Sequence, residues 1–211
     1  MRFSKFLGAA CVAMSLAFAV HAQDDSGVER LNRYLSEIKS LEALFTQEVI
    51  SEKGEILQTA TGRLQLAQPG KFHWEYVLPA PQQIISDGKT VWFYDTQLSQ
   101  VTVKKLDDAI GNTPAAILTQ GQQIGAHFEV HERPEREGLK WVELLPKKSD
   151  TDFRRVLIGL DDENVQGMDL YDQFGQITVI RFMDTVNNPE LPNSNFNFTP
   201  PPGVDVVGSP F

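Results

Sequence analysis

Residues 69–76 read Pro-Gly-Lys-Phe-His-Trp-Glu-Tyr. Pro69-Gly70 is a turn signal, and after it Phe72, Trp74 and Tyr76 alternate with Lys71, His73 and Glu75. A period of two places the three rings on one face of a β-strand and the polar groups on the other. The same period holds upstream, where Leu64 and Leu66 alternate with Arg63, Gln65 and Ala67. It returns downstream. Phe128 and Val130 alternate with His127, Glu129 and His131, Met168 and Leu170 flank Asp169, and Thr178, Ile180 and Phe182 interleave with Val179 and Arg181. Lys53-Gly54, Asp87-Gly88, Glu137-Gly138, Asp161-Asp162 and Phe174-Gly175 punctuate these runs. Short strands joined by tight turns predict an antiparallel meander, a mainly β (α+β) fold with one apolar face.

Two stretches break the rhythm. Val28, Leu31, Leu35 and Ile38 recur at helical spacing among charged residues up to Lys39, which predicts one amphipathic helix laid on an apolar surface. Between about 107 and 124, Gly111-Asn112-Thr113-Pro114 leads into Ala115-Ala116-Ile117-Leu118. Thr113 is a capping residue and Pro114 suits a first helical position, so one or two short helices are expected there, covering one side of the sheet. The tail from Asn187 to Phe211 is rich in Pro and Asn, with Phe196 and Phe198 packing among them.

The N-terminus has the pattern of an export signal. Arg2 and Lys5 precede an apolar run from Phe6 to Val20, which closes on Val20-His21-Ala22. Cleavage is expected after Ala22, leaving residues 23–211 as a single domain. The run is fifteen residues, short of the roughly 20 that span a bilayer. Cys11 lies inside it, preceded by Gly8-Ala9-Ala10 and not by a Leu-led lipid-attachment box. The segment contains two basic and no acidic residues. The remaining chain therefore carries 17 basic against 28 acidic side chains, a formal charge of −11. That balance argues against nucleic acid and anionic membrane surfaces as partners. Without Cys11 the chain has no cysteine, which excludes disulfides, thiol catalysis and thiolate metal sites even in an oxidising compartment.

Catalytic constellations are absent from the sequence. His127 and His131 are four apart, but in a strand that spacing separates them by about 13 Å, too far for one ion. Their His-Phe-Glu context lacks the cysteines of a zinc deaminase. There is no Gly-x-Ser-x-Gly elbow, phosphate loop or dinucleotide fingerprint. The acidic pairs Asp24-Asp25, Asp107-Asp108 and Asp161-Asp162 occupy leader or turn positions. Neither an enzyme nor a cofactor or metal site is expected.

Four segments together carry a resemblance. They are 69–76, Ser86-Asp87-Gly88-Lys89-Thr90-Val91-Trp92-Phe93-Tyr94-Asp95, Gly111 to Leu118, and Phe196-Asn197-Phe198-Thr199-Pro200-Pro201, with Phe45-Thr46-Gln47 ahead of them. In this order, behind an export signal, the chain resembles the LolA family of periplasmic outer-membrane lipoprotein carriers from about Val28 to Gly203. The resemblance implies an incomplete antiparallel barrel (a half-barrel) whose short helices form a lid over an apolar cavity. It also implies a monomeric periplasmic chaperone that shelters the acyl chains of lipoprotein cargo. Cargo would pass from an inner-membrane ABC transporter complex to an outer-membrane receptor. The alternative is a periplasmic module of the same fold that senses lipids or lipoproteins. Expected cavity residues are Leu64, Leu66, Phe72, Trp74, Trp92, Met168 and Ile180 on strands, with Ile117 and Leu118 from the lid. Phe72 matches a family position near the cavity mouth. Gln68 stands where well-known members carry an Arg that ties the lid shut, and a neutral amide of shorter reach is a weaker latch.

Overall fold

The computed structural model describes residues 25–111 and 113–208. The expected signal, residues 1–22, lies outside the described residues, as does Asn112 of the Gly111–Pro114 motif. Helix α1 (Gly27–Glu37) leads into β1 (Ser40–Ile50), β2 (Ile56–Ala67), β3 (Lys71–Leu78), β4 (Gln82–Asp87), β5 (Thr90–Asp95) and β6 (Gln100–Lys105). Short helices α2 (Leu106–Ala109), α3 (Pro114–Leu118) and α4 (Ile124–His127) follow, with a 3-10 turn at Gly121–Gln123. The chain then continues through β7 (Phe128–Arg136), β8 (Leu139–Pro146), β9 (Phe153–Leu160), β10 (Val165–Asp172), β11 (Ile177–Asn187) and β12 (Asp205–Gly208). All twelve strands form one sheet, ordered β12-β6-β5-β4-β3-β2-β1-β11-β10-β9-β8-β7.

The sheet curls until its two ends approach without pairing. Residues from the β6–α2 edge and the β7–β8 edge line a common cleft of about 440 Å³, and Gly111 touches Thr151 across it. The inner face is apolar and the helices fill it. Leu31 and Leu35 of α1, Ala109 and Ile110 after β6, Ala115 to Leu118 of α3 and Ile124 of α4 share one buried cluster with the inward residues of the strands. This is the half-barrel with a helical lid.

Three details differ from the sequence reading. His127 closes α4, so the strand begins at Phe128, whose N–H bonds the Ile124 carbonyl. Asp107 and Asp108 lie in the first turn of α2, where the positive end of the peptide dipoles favours carboxylates. The tail also adds a strand, and it is parallel. It crosses the outer face to the β5–β6 turn, where the Asp205 N–H bonds the Ser99 carbonyl, and so runs beside β6 in the same direction.

Helix α1 is fixed at both ends by groups distant in sequence. A helix leaves its first four N–H groups without intrahelical acceptors. Here Gly27 and Val28 donate to the Glu132 carboxylate at 2.8 and 3.0 Å, and Glu29 donates to Ser26 Oγ in a capping box. At the other end Asn188 Nδ2 donates to the Glu37 carbonyl, and Gln68 Nε2 donates to the Leu35 carbonyl at 3.4 Å. Asn188 Oδ1 accepts from Lys39 N–H at 2.7 Å, which ends the helix two residues before the periodicity does.

One glycine is set by close approach. The Phe45 ring lies across β2 at Gly62, and a Cβ there would collide with both the ring and the Glu75 carbonyl. Gly62→Ala is expected to cost about 1–3 kcal/mol through overpacking. At about 2–4 °C per kcal/mol for a chain of this size, thermal unfolding falls by about 2–12 °C. An unchanged melting temperature would mean that the Phe45 ring and the Glu75 carbonyl both give way.

Candidate functional site

Cross-strand pairing identifies the inward residues. Leu41, Leu66, Phe72, Ser86 and Val91 face one another in a row across β1 to β5, and Leu64, Trp74, Ile84 and Phe93 form the next row. On the far side Ile180, Met168, Ile158 and Val142 continue the same face. Leu64, Leu66, Phe72, Trp74, Ile117, Leu118, Met168 and Ile180 are all brought together here, none more than 4 % exposed. The strand and lid residues are packed against one another. The strands are tied to one another by backbone hydrogen bonds, whereas the lid rests on them mainly through side chains.

Trp92 is placed elsewhere. It pairs with Ile85 and Val103 on the outer face, 6.1 Å from the Phe198 ring of the tail. Val91 and Phe93 are the inward residues of β5. The tail covers this strand from outside, so both of its faces are apolar, and Val-Trp-Phe-Tyr carries no readable alternation. Other inward residues escaped the sequence reading. Phe45, 4.2 Å from Trp74 between ring centroids, and Phe182, 6.2 Å from it, sit at the centre of the cluster.

The buried hydroxyls that flank α3 are satisfied. Thr113 Oγ1 accepts from Ala116 N–H, and the Thr119 hydroxyl donates to the Ala116 carbonyl. Ser86 Oγ accepts from Gly88 N–H. Burial raises the Tyr76 hydroxyl above its ordinary pKa, against opposing contacts from Trp74 and Gln47, and burial beside Asp161 does the same for Tyr34. Both stay neutral. On the outer face the nearly buried carboxylates are paired: Asp169 with Arg136 at 2.6 Å and Arg181 at 2.8 Å, and Glu143 with Arg133 and Arg155.

The two ends of the chamber differ. At the lid end, Gln68 reaches α1 and abuts Gly121, beside a cleft of about 500 Å³ that Gln122, Gln123 and His127 also line. Lys71 points away and bonds Asn193 on the outer face. At the opposite end, the turns carry bare apolar side chains: Ile56 and Leu57, Leu78, Leu98 and Phe174, each at least 55 % exposed. Two recesses of about 240 and 270 Å³ open there toward Tyr76 and toward Phe93.

The model of the family described as outer membrane lipoprotein carrier protein LolA matches residues 36–199. An outer-membrane lipoprotein carrier protein of Dechloromonas aromatica is 41 % identical over 204 residues, covering 97 % of this chain and 96 % of its own. One from Methylococcus capsulatus is 42 % identical over 177 residues, covering 84 % and 85 %. Among solved structures, a LolA-superfamily protein from Nitrosomonas europaea superposes with a TM-score of 0.52 at 11 % identity, over 83 % of this chain and 99 % of that one. The last likeness speaks to the fold, and the relatives speak to descent. The chain belongs to the LolA family of outer-membrane lipoprotein carrier proteins.

Proposed function

We propose that this chain is a periplasmic carrier of lipid-modified proteins and that the interior between sheet and lid holds their acyl chains. Residues 1–22 direct export and are removed. Cargo is received from an inner-membrane ABC transporter complex and given up to a receptor on the outer membrane. The observation that carries this reading is the contrast between the two layers: a continuously paired sheet below, and above it a helical lid fastened at a few points.

The energetics fit that division. Each buried methylene contributes about 0.8 kcal/mol, so an acyl chain of about 16 carbons leaves a membrane at a cost of about 12 kcal/mol. A carrier must return most of that by burial and still release its load. Side chains of the empty protein fill the interior until an acyl chain replaces their contacts, which keeps the apolar face out of water in both states.

Transfer between purified inner- and outer-membrane vesicles tests the reading. The mature chain is expected to move an acylated lipoprotein and to leave behind membranes carrying a version anchored by a transmembrane helix. It should show no affinity for the unacylated polypeptide. Equal binding of acylated and unacylated cargo would remove the acyl chains from the account.

Gln68 sets how firmly the lid rests. A neutral hydrogen bond contributes about 0.5–1.5 kcal/mol and one with a charged donor about 1.5–3. Gln68→Arg adds a cation beside the carbonyls that end α1, where the helix dipole favours it. The resulting gain of about 1 kcal/mol favours the closed form about fivefold and weakens binding of an apolar fluorescent probe by the same factor. Probe titration of both variants reads this directly, and equal or tighter binding by Gln68→Arg would mean that the lid is held elsewhere.

A further inference from the structure

Trp74 has an unmet hydrogen-bonding group in the chamber wall. Its side chain is 1 % exposed, and its indole N–H has no acceptor. A buried indole usually finds one, and a buried polar atom left without a partner calls for an explanation. A polar group beside it is the Tyr76 hydroxyl. It lies close enough to feel the indole but forms no hydrogen bond of normal geometry with it. Its own proton goes to Gln47 Oε1 at 3.0 Å.

The position of this group along the strand gives it meaning. On the inner face of β3, exposure rises from 0 % at Phe72 and 1 % at Trp74 to half-buried Tyr76, and past the irregularity in the β2–β3 pairing Leu78 is 60 % exposed. Trp74 therefore marks the depth at which the apolar wall gives way to a polar collar. Gln47, Gln58, Tyr76 and Gln82 form that collar around the recess of about 240 Å³, together with apolar groups and with no charged side chain in its lining.

A ligand that fits such a boundary is apolar at one end and carries an uncharged acceptor where the apolar part stops. A free fatty acid fits poorly, because its carboxylate would meet no cation in the collar. An acyl ester fits: its chain lies among the apolar side chains and its carbonyl oxygen reaches the indole N–H. We propose that Trp74 Nε1, with Tyr76 and Gln47 beside it, forms a subsite for the ester carbonyls of the cargo's acyl groups. It would make the protein select ester-linked acyl chains over ether-linked alkyl chains of equal length. The inference rests on the carrier reading above and adds to it a polar determinant of specificity.

The test uses the mature chain with two uncharged probes of matched chain length, a 1,2-diacylglycerol and a 1,2-dialkylglycerol, each displacing an apolar fluorophore. One hydrogen bond gained corresponds to about 2–10-fold tighter binding of the diester by the wild type. Trp74→Phe retains an aromatic ring without the N–H, and the diester-to-diether ratio should fall to about one. Tyr76→Phe removes only a hydroxyl and should lower the ratio part of the way, which guards against a folding defect in the first variant. In the ¹⁵N-labelled wild type, the Trp74 indole resonance should move downfield with the diester and not with the diether. Equal affinity for the two probes, or an indole resonance indifferent to the diester, would overturn the subsite and leave the carrier standing. Failure of both probes to bind would overturn the carrier reading, and the subsite with it.

Discussion

An apolar sheet face cannot remain in water, and that constraint shapes everything else in this molecule. Leu64, Phe72, Trp74, Met168 and Ile180 lie on one face of a single twelve-stranded sheet. Burying each such side chain contributes about 1.5–3 kcal/mol. A second sheet would cover that face permanently and leave no room for a guest. This fold instead curls the sheet on itself and lays four short helices into the hollow. The cover is thus made of elements that do not share the sheet's backbone hydrogen bonds. Its polar attachments include Glu132 and Ser26 at one end of α1, Gln68 and Asn188 at the other, and Asp162, which pairs with Arg30 along the helix.

The electrostatic arrangement follows the same logic. The chain is acidic overall, with a formal charge of −9, yet the inner face is uncharged where the apolar rows meet. The most deeply set carboxylates, Asp169 and Glu143, lie on the outer face under arginines, and Arg136 also stacks on the Trp141 ring at 4.2 Å. Pairing makes their burial tolerable there, whereas an unpaired charge inside would oppose any acyl chain. At the open end polarity returns as amides and hydroxyls, which interact with carbonyl groups and do not repel hydrocarbon.

Much of this was readable in the sequence, and the parts that were not share a cause. Strands β2 and β3 have one wet face, so the alternation of Leu64, Leu66, Phe72 and Trp74 pointed to the interior directly. Strand β5 has a tail packed on its outside, so Trp92 looked no different from Val91 or Phe93, and it faces Phe198 and not the chamber. The helix at residues 27–37 was plain from its periodicity, but its end was not. Asn188, some 150 positions away, accepts from the Lys39 and Ser40 N–H groups and donates to the Glu37 carbonyl. Gly62 gave no local sign, because the Phe45 ring and the Glu75 carbonyl that leave no space for a side chain come from other strands. Local periodicity reports which face is wet. It carries no information about partners brought in from the far end of the chain.

The central claim is that cargo is admitted by movement of the lid over an unchanged sheet. Amide hydrogen exchange of the mature chain, empty and loaded with an acylated lipoprotein, tests it most directly. The account predicts that amides of α1, α3 and residues 121–127 change protection on loading, while those of β1 to β3 and β10 to β11 keep theirs. Loss of protection in the strands, or helices that exchange identically in both states, would contradict it.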